Sequence, residues 1–276
     1  MPYKTILNVL GEDRADEDLQ VATKLAGEVG AHLSTLFVTM APVPTGRYQT
    51  LSPSWLEVRE RNLEKLSERV TKFRERLATT ELSFDVDSVY AEVAGPAYDI
   101  GERAIYADLV VAGPGVFAND DLKSQVVSGG LFQAGRPVLF VPRDANATLR
   151  PMTILLAWDS RPSAAHAARE ALEMMKMAQS VHVTMVDPVA ASRVSGDEPG
   201  ADIATYLARH GINVSVETLP SSGHFVTDTL LRHALDINAD LIVMGAYGHS
   251  KLLELILGGV TKSMLKEANL PILMAH

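Results

Sequence analysis

The chain contains no cysteine among its 276 residues. This absence excludes disulfide bridges, thiolate catalysis and cysteine-ligated zinc as sources of stability or chemistry. Because disulfides are typical of oxidising compartments, the composition favours the reducing cytoplasm as the expected location.

Long apolar stretches are missing as well. Every uninterrupted apolar run is shorter than ten residues, whereas a membrane-spanning helix needs about 20. The chain does not open with a basic segment followed by an apolar one, so a secretory signal is not expected. We therefore expect no membrane segment.

Positive charge is in deficit. The 25 Lys and Arg residues stand against 34 Asp and Glu residues, which gives a formal net charge of -9 at pH 7. Binding to nucleic acid needs a basic surface that releases counterions. Nucleic acid is therefore not expected among the partners.

Common catalytic signatures are absent too. The sequence has neither a Gly-x-Ser-x-Gly nucleophile elbow nor a His-Glu-x-x-His metal motif. The Walker phosphate loop and the dinucleotide fingerprint do not occur at a strand-to-helix turn either. His166 and Glu170 have helical spacing, but they complete no known metal motif. The sequence therefore gives no basis for nucleophilic catalysis or for a histidine metal centre.

What the chain does have is an internal repeat. At 47% hydrophobic and 21% charged residues, it has the composition of a globular protein, and its length suits two domains. Four apolar segments of the first half align with four of the second. These pairs are residues 5–9 with 153–157, 33–38 with 181–186, 107–113 with 239–245, and 136–140 with 270–274.

The repeat predicts the domain boundaries. We assign residues 1–145 to a first domain and residues 151–276 to a second, with a linker between Pro142 and Pro151. The first two segment pairs are 148 positions apart and the third pair is 132 positions apart. The first half therefore carries about sixteen extra residues, which we place between Met40 and Thr80.

The apolar segments predict the fold class. Continuous rather than alternating apolar runs are typical of parallel strands covered on both faces. We predict an α/β protein of two repeated, doubly wound, Rossmann-like parallel-sheet domains. Each half is read as strand, helix, strand, loop and helix, two strands, glycine loop, helix and strand. Apolar residues spaced by three and four predict one long amphipathic helix over Leu56–Leu77.

The second half contains a candidate phosphate cradle. The strand 241–245 ends at Gly245, Gly248 follows after two residues, and Gly258 and Gly259 follow after nine more. Glycine lets a backbone approach a ligand closely, and helix N-termini supply N–H donors and a positive dipole. If Gly259 caps a helix, Lys262 lies in its first turn, where a cation is best explained by a bound anion. Lys251 and His249 are further candidates for phosphate contact.

Plainer interpretations of the same residues stay open. The glycines are also compatible with tight turns, and Asp159 and Ser160 with a helix cap before Pro162. The lysines and His249 are compatible with solvated surface.

These residues resemble the universal stress protein family, here as a tandem two-domain member. The most specific element is Gly-x-x-Gly, nine residues, then Gly followed by Ser or Thr. The resemblance implies ATP as the cofactor, with or without Mg²⁺, an acidic residue at Asp159 beside the nucleoside, and a backbone contact from Met185 to adenine. The implied binding residues are Ala157, Trp158, Asp159, Met185, Met244, Gly245, Tyr247, Gly248, Gly258, Gly259, Val260 and Thr261.

The resemblance also has implications for assembly. It implies that the two domains face each other as an intramolecular pseudo-dimer, whose pairing edges are Val138 to Val141 and Ile272 to Ala275. A homodimer of whole chains is a further expectation.

The chain departs from the family pattern in both halves. Gly259 stands where Ser or Thr is usual, so Thr261 is the candidate replacement hydroxyl, and Trp158 is larger than expected. In the first half Gly11 replaces the acidic residue, and Gly113 is followed by a sequence that lacks the second glycine. We predict that the first domain does not bind ATP in the family manner.

Three functions remain open alongside a nucleotide-dependent stress-response module. One is a family member that binds no nucleotide and acts through protein contacts. Another is a slow ATP hydrolase, although no positioned general base is visible. The third is binding of a different ligand between the domains, at the longer Met40 to Thr80 segment.

Overall fold

A computed structural model describes residues 3–41, 53–91, 95–188, 198–247 and 259–276. The chain is α/β, as predicted. Its contacts form two compact units, Tyr3–Arg136 and Pro137–His276. The second unit thus begins before the boundary predicted at residues 145–151.

The early boundary has a cause in hydrogen bonding. Strand β5 (Val138–Phe140) pairs antiparallel with β10 (Ile272–Ala275), so that Phe140 lies opposite Ile272. These are the two segments that the resemblance named as pairing edges. The arrangement of the halves as a pseudo-dimer, and a homodimer of chains, stay predictions.

The first unit contains a parallel sheet with strand order β3-β2-β1-β4. Its elements, in chain order, are β1 (Thr5–Leu10), α1 (Ala15–Val29), β2 (His32–Met40), α2 (Pro53–Ala78), β3 (Phe84–Ala91), α3 (Ala97–Ala104), β4 (Leu109–Ala112), α4 (Pro114–Ala118), α5 (Asp120–Val126) and a π-helical segment (Val127–Gln133).

The second unit repeats this order, β8-β7-β6-β9-β10, with β5 added antiparallel at β10. Its elements after β5 are β6 (Thr153–Ala157), α6 (Pro162–Glu170), α7 (Leu172–Met177), β7 (Ser180–Val186), α8 (Ala201–Arg209), β8 (Val214–Leu219), α9 (Val226–Asp236), β9 (Leu241–Gly245), α10 (Val260–Glu267) and β10.

The core forms where the apolar pattern placed it. The central strands β1, β4, β6 and β9 are almost entirely buried, because helices cover both faces of a parallel sheet. The predicted amphipathic helix is α2, which extends beyond the predicted Leu56–Leu77 at both ends. It buries Leu66, Val70, Phe73 and Leu77, and the rings of Phe73 and Phe37 lie 5.6 Å apart between centroids.

Two helices occur where the sequence analysis placed consecutive strands. α3 connects β3 to β4, and α9 connects β8 to β9. Parallel strands require such crossovers. Their buried faces consist mostly of small residues and threonine, with Ile100 and Leu230 as the only large apolar side chains. Both helices are short, with 8 and 11 residues, so each has few large apolar positions by which the sequence could indicate it. Across the described residues, no helix has the length and apolar character of a membrane span.

Candidate functional site

A cavity of about 290 Å³ lies at the carboxyl ends of β6, β7 and β9. In a doubly wound sheet, this edge is where ligands bind. Helix α9 and the N-terminus of α10 complete the walls. The lining residues are Ala157, Trp158, Asp159, Arg161, Ser163, Ala164, Thr184, Val186, Val226, Leu230, Met244, Gly245, Gly259, Val260 and Thr261.

The structure brings most of the predicted site residues to this cavity. Eight of the twelve line it, namely Ala157, Trp158, Asp159, Met244, Gly245, Gly259, Val260 and Thr261. Gly248 and Gly258, like Lys251 and His249, lie outside the described residues. Met185 and Tyr247 are described but are not in the lining.

Met185 lies on the other face of its strand. Side chains alternate along a strand, so Thr184 and Val186 reach the cavity while Met185 does not. Its side chain is buried beside Gly200, where an added Cβ would lie 2.7 Å from the Met185 Cε atom. A contact from the Met185 backbone to a base stays a prediction.

Gly245 has a packing role that the sequence analysis did not anticipate. A Cβ atom added there would lie 2.5 Å from the backbone nitrogen of Ala164 and 2.6 Å from the carbonyl carbon of Ser163. Real Cβ atoms do not approach backbone so closely. Glycine at this position therefore lets the first turn of α6 lie directly against the end of β9.

Helix α10 presents its N-terminus to the cavity. Gly259 is its N-cap, as predicted, and has no side chain with which to cap the helix. The first intrahelical hydrogen bonds come from Lys262 and Ser263 to the Gly259 carbonyl, so the N–H groups of Val260 and Thr261 precede them. With the positive end of the helix dipole, this arrangement favours an anion.

Thr261 links α10 to the end of β9. Its hydroxyl oxygen accepts a hydrogen bond from the Tyr247 backbone N–H at 3.2 Å, and its side chain is buried. Tyr247 itself has a left-handed backbone with φ of 53°. The Thr261 hydroxyl still has its own proton to donate. It therefore combines a structural contact with the capacity to bind an acceptor in the cavity.

The connection from β6 to α6 carries the acidic residue. The Asp159 carboxylate accepts a hydrogen bond from the Arg161 backbone N–H at 3.0 Å, and Ser160 has a φ of 61°. The N-cap of α6 is Arg161, so the alternative interpretation of Asp159 or Ser160 as the cap is wrong. The turn leaves the Asp159 side chain 53% exposed at the cavity.

Arg161 is a site residue that the sequence analysis missed. It lines the cavity, and its Nε atom lies 3.7 Å from the Asp159 carboxylate. The sequence could have indicated Arg161 as a site residue, because it follows the predicted acidic residue Asp159 by two positions. The cavity therefore contains a cation and a carboxylate at one end, and the N–H groups of α10 at another.

The remaining wall of the cavity is apolar. Val186, Val226, Leu230 and Met244 contribute to it, together with the Trp158 side chain. Two of these residues belong to α9, the helix that the sequence analysis did not predict. An apolar wall with a few polar groups is the usual composition of a small-molecule site.

Several of the described histidines in the second unit contact protein groups. His166 contacts the His276 carbonyl oxygen at 2.6 Å through Nδ1, and Glu170 at 3.1 Å through Nε2. Within the part of the chain that the structure describes, no cluster of His, Asp and Glu has the arrangement of a metal site.

The first unit differs at the corresponding edge. Asp18, on α1, is completely buried and accepts hydrogen bonds from the backbone N–H groups of Gly115 at 2.6 Å and Val116 at 3.3 Å. A Cβ atom added at Gly113 would lie 2.5 Å from the same carboxylate. The N–H groups that follow β4 therefore already donate hydrogen bonds to the Asp18 side chain.

Burial dominates the electrostatics of Asp18. Desolvation raises its pKa from 3.8 to about 7, although the two backbone hydrogen bonds act in the opposite direction. The group is therefore partly protonated near neutral pH. That this unit does not bind ATP in the family manner stays a prediction.

The fold and the site define a Rossmann-like α/β protein with a cavity at the switch edge of its second sheet. Residues 152–276 match the sequence profile described as "Universal stress protein family". The second unit therefore contains a universal stress protein domain.

Relatives agree with this assignment. The Universal stress protein Slr1230 of Synechocystis sp. is 34% identical over 67 residues, which are 24% of this chain and 22% of that protein. A universal stress protein structure from Archaeoglobus fulgidus matches 98% of this chain and 95% of its own, with a TM-score of 0.68 and 18% identity. A putative universal stress protein structure from Pseudomonas aeruginosa covers 99% and 93%, with a TM-score of 0.61 and 17% identity. At these identities the two structures show the shared fold.

Proposed function

We propose that the second unit binds an adenine nucleotide, ATP above all, and acts as a nucleotide-dependent module in a stress response. The observation that supports the proposal most is the convergence of eight predicted residues on one cavity with a helix N-terminus in its wall. The family assignment supports the stress-response role.

The chemistry of the walls suggests how the ligand lies. The base fits against the apolar wall of Trp158, Val226 and Leu230, and a ribose hydroxyl can donate to the half-exposed Asp159 carboxylate. The phosphates fit at the N–H groups of Val260 and Thr261. Arg161 supplies positive charge beside Asp159, and the exposed Lys262 supplies it in the first turn of α10.

The size and the charges limit the ligand further. A volume of about 290 Å³ lies near the lower end for small-molecule sites, so the cavity suits a nucleoside with its phosphates extending outward over Gly259. Asp159 is the single carboxylate in the described lining. Mg²⁺ would therefore be held mainly by phosphate oxygens, with Asp159 as the one protein carboxylate in reach.

Calorimetric titration with Mg-ATP tests the proposal. We expect one ATP per chain, also detectable by mass after denaturation of the purified protein. The variant Gly259→Asp places a carboxylate at the N-cap, where Asp is well tolerated but repels phosphate. It should lose ATP binding by at least about a hundredfold, since several charge-assisted hydrogen bonds are affected together.

The matched control is Gly211→Asp. Gly211 lies at a left-handed turn with open space around the position of a new Cβ, and Asp is among the residues that tolerate this conformation. It adds the same charge and should leave the affinity unchanged. Absence of heat with the unmodified chain, or unchanged binding by Gly259→Asp, would favour a member that acts without nucleotide.

A further inference from the structure

Helix α2 carries a stripe of positive charge on one face. Lys65, Arg69, Lys72 and Arg76 follow one another at spacings of four, three and four residues. Residues at these spacings lie on the same face of a helix. The stripe is therefore about 16 Å long, at 1.5 Å per residue. It belongs to the segment that makes the first half longer than the second.

This stripe borders a groove at the carboxyl end of β1. A cavity of about 350 Å³ is lined by the β1–α1 connection on one side, including Arg14, and by Arg69, Lys72 and Arg76 of α2 on the other. A smaller cavity of about 110 Å³ shares Glu12 and Arg69 with it and adds Lys65. The two cavities are neighbours in the first unit, on either side of the Arg69–Glu12 contact, and are together called the groove here.

Internal contacts use only part of this charge. Arg76 pairs with Asp16 at 2.6 Å, and Arg69 donates to the Glu12 carbonyl oxygen at 2.9 Å while its guanidinium lies over the Phe37 ring. Within the described ranges, Lys65 and Lys72 make no ion pair. The groove has five cationic side chains, of which Arg14 lies 3.8 Å from the Glu17 carboxylate outside the lining, and two carboxylates, those of Glu12 and Asp16.

This local excess of positive charge is unusual for the molecule. The chain as a whole carries a net charge of -9, so a concentration of cations around one concave surface is not a consequence of composition. A concave site lined by one sign of charge concentrates ligands of the opposite sign. Arg and Lys side chains are the usual partners of phosphate.

We propose that this groove of the first unit is a binding site for a small molecule with two or more phosphate groups. A cavity of this size suits a small molecule, and the net negative charge of the chain disfavours a long polyanion. The site is separate from the proposed ATP cavity, which lies entirely within the second unit. It also differs from the amides after β4, which Asp18 occupies.

Calorimetric titration with inorganic pyrophosphate at about 50 mM NaCl tests this site. We expect one pyrophosphate per chain, with an affinity that falls steeply toward about 300 mM NaCl because partly exposed charges are screened. The double variant Lys65→Gln/Lys72→Gln removes the two groove lysines that form no ion pair with another described residue. It should weaken pyrophosphate binding by about tenfold or more, without changing the Mg-ATP titration.

Two controls decide between specific and general effects. Lys24→Gln/Lys176→Gln removes the same number of charges from exposed positions outside the groove and should change the pyrophosphate affinity less than twofold. Gly259→Asp should leave pyrophosphate binding intact even when ATP binding is lost. The proposal is overturned if no pyrophosphate binds at low salt, if the control pair weakens binding as much, or if Gly259→Asp abolishes it.

Discussion

The two units use the same scaffold edge in opposite ways. In the first unit, the N–H groups after β4 are bound by Asp18, a buried carboxyl group of the chain itself. In the second unit, the end of β9 opens into a cavity whose wall is the N-terminus of α10. The comparison shows that the same strand and glycine have different surroundings in the two units.

A glycine serves helix packing in both units. Gly113 leaves room for Asp18 on α1, and Gly245 leaves room for Ser163 and Ala164 on α6. The glycine at the end of this strand is thus needed for the scaffold whether or not a ligand binds.

Among the substitutions that test this comparison of the two units, Gly245→Ala is expected to have the largest effect on stability. Its methyl group would lie 2.5 Å from the Ala164 nitrogen, so α6 must move away from β9. We expect a loss of about 3 kcal/mol or more in the free energy of unfolding, at or above the usual cost of overpacking. Urea denaturation measures it. Gly27→Ala, in α1 with open space around it, should be neutral or stabilising, and equal effects for both variants would refute the packing argument.

The second prediction concerns pH and the internal carboxyl group. Because the Asp18 pKa is about 7 in the folded chain and 3.8 is its ordinary value, the folded state holds the proton more tightly. The free energy of unfolding should therefore fall as pH rises from about 4 to about 7, by up to about 1.4 kcal/mol per pH unit, and then level off. Denaturation curves across this range should show that Asp18→Asn removes this decline.

Asp16→Asn is the matched control for this pH effect. Asp16 lies on the same helix, but its side chain is 78% exposed, so its substitution should leave the decline in place. A wild-type stability that rises with pH through this window would show that the backbone N–H groups outweigh burial at Asp18.

The sequence was sufficient for most of the scaffold. The four pairs of apolar segments located eight of the ten described strands. They could do so because a strand that is buried on both faces consists of a continuous run of apolar residues. Helices α3 and α9 were missed because both are short and each buries one large apolar side chain, Ile100 in α3 and Leu230 in α9. The cavity residues Val226 and Leu230 were missed with α9.

Other features depend on distant parts of the chain. Asp18 is one of several acidic residues in the first turn of α1, a pattern typical of exposed charge near a helix N-terminus. Its burial follows from a contact with Gly115, 97 residues later. The packing role of Gly245 likewise depends on α6, which precedes it by about eighty residues. No local pattern carries this information.

A smaller effect is expected from Thr261→Val, which keeps the shape of the side chain but removes the hydroxyl. The Tyr247 backbone N–H would lose its acceptor, at a cost of about 1–3 kcal/mol in the free energy of unfolding. Thr261→Ser keeps the hydroxyl and should restore most of this loss in denaturation experiments. If Val and Ser variants are equally stable, the hydrogen bond does not hold α10 against β9.

Among these substitutions, Arg161→Gln is expected to have the smallest effect, a modest loss of affinity for Mg-ATP. Arg161 lies at the cavity but remains partly exposed, so its attraction for phosphate is screened by solvent. We expect Mg-ATP to bind about three- to tenfold more weakly, within the range of a single exposed charge contact, while adenosine binds unchanged. Arg169→Gln, at the other end of α6 and outside the cavity lining, controls for net charge in the same calorimetric titrations. Equal losses of affinity for ATP and adenosine would mean that Arg161 shapes the Asp159 turn rather than attracting phosphate. The phosphates of the proposed complex would then lie away from Arg161.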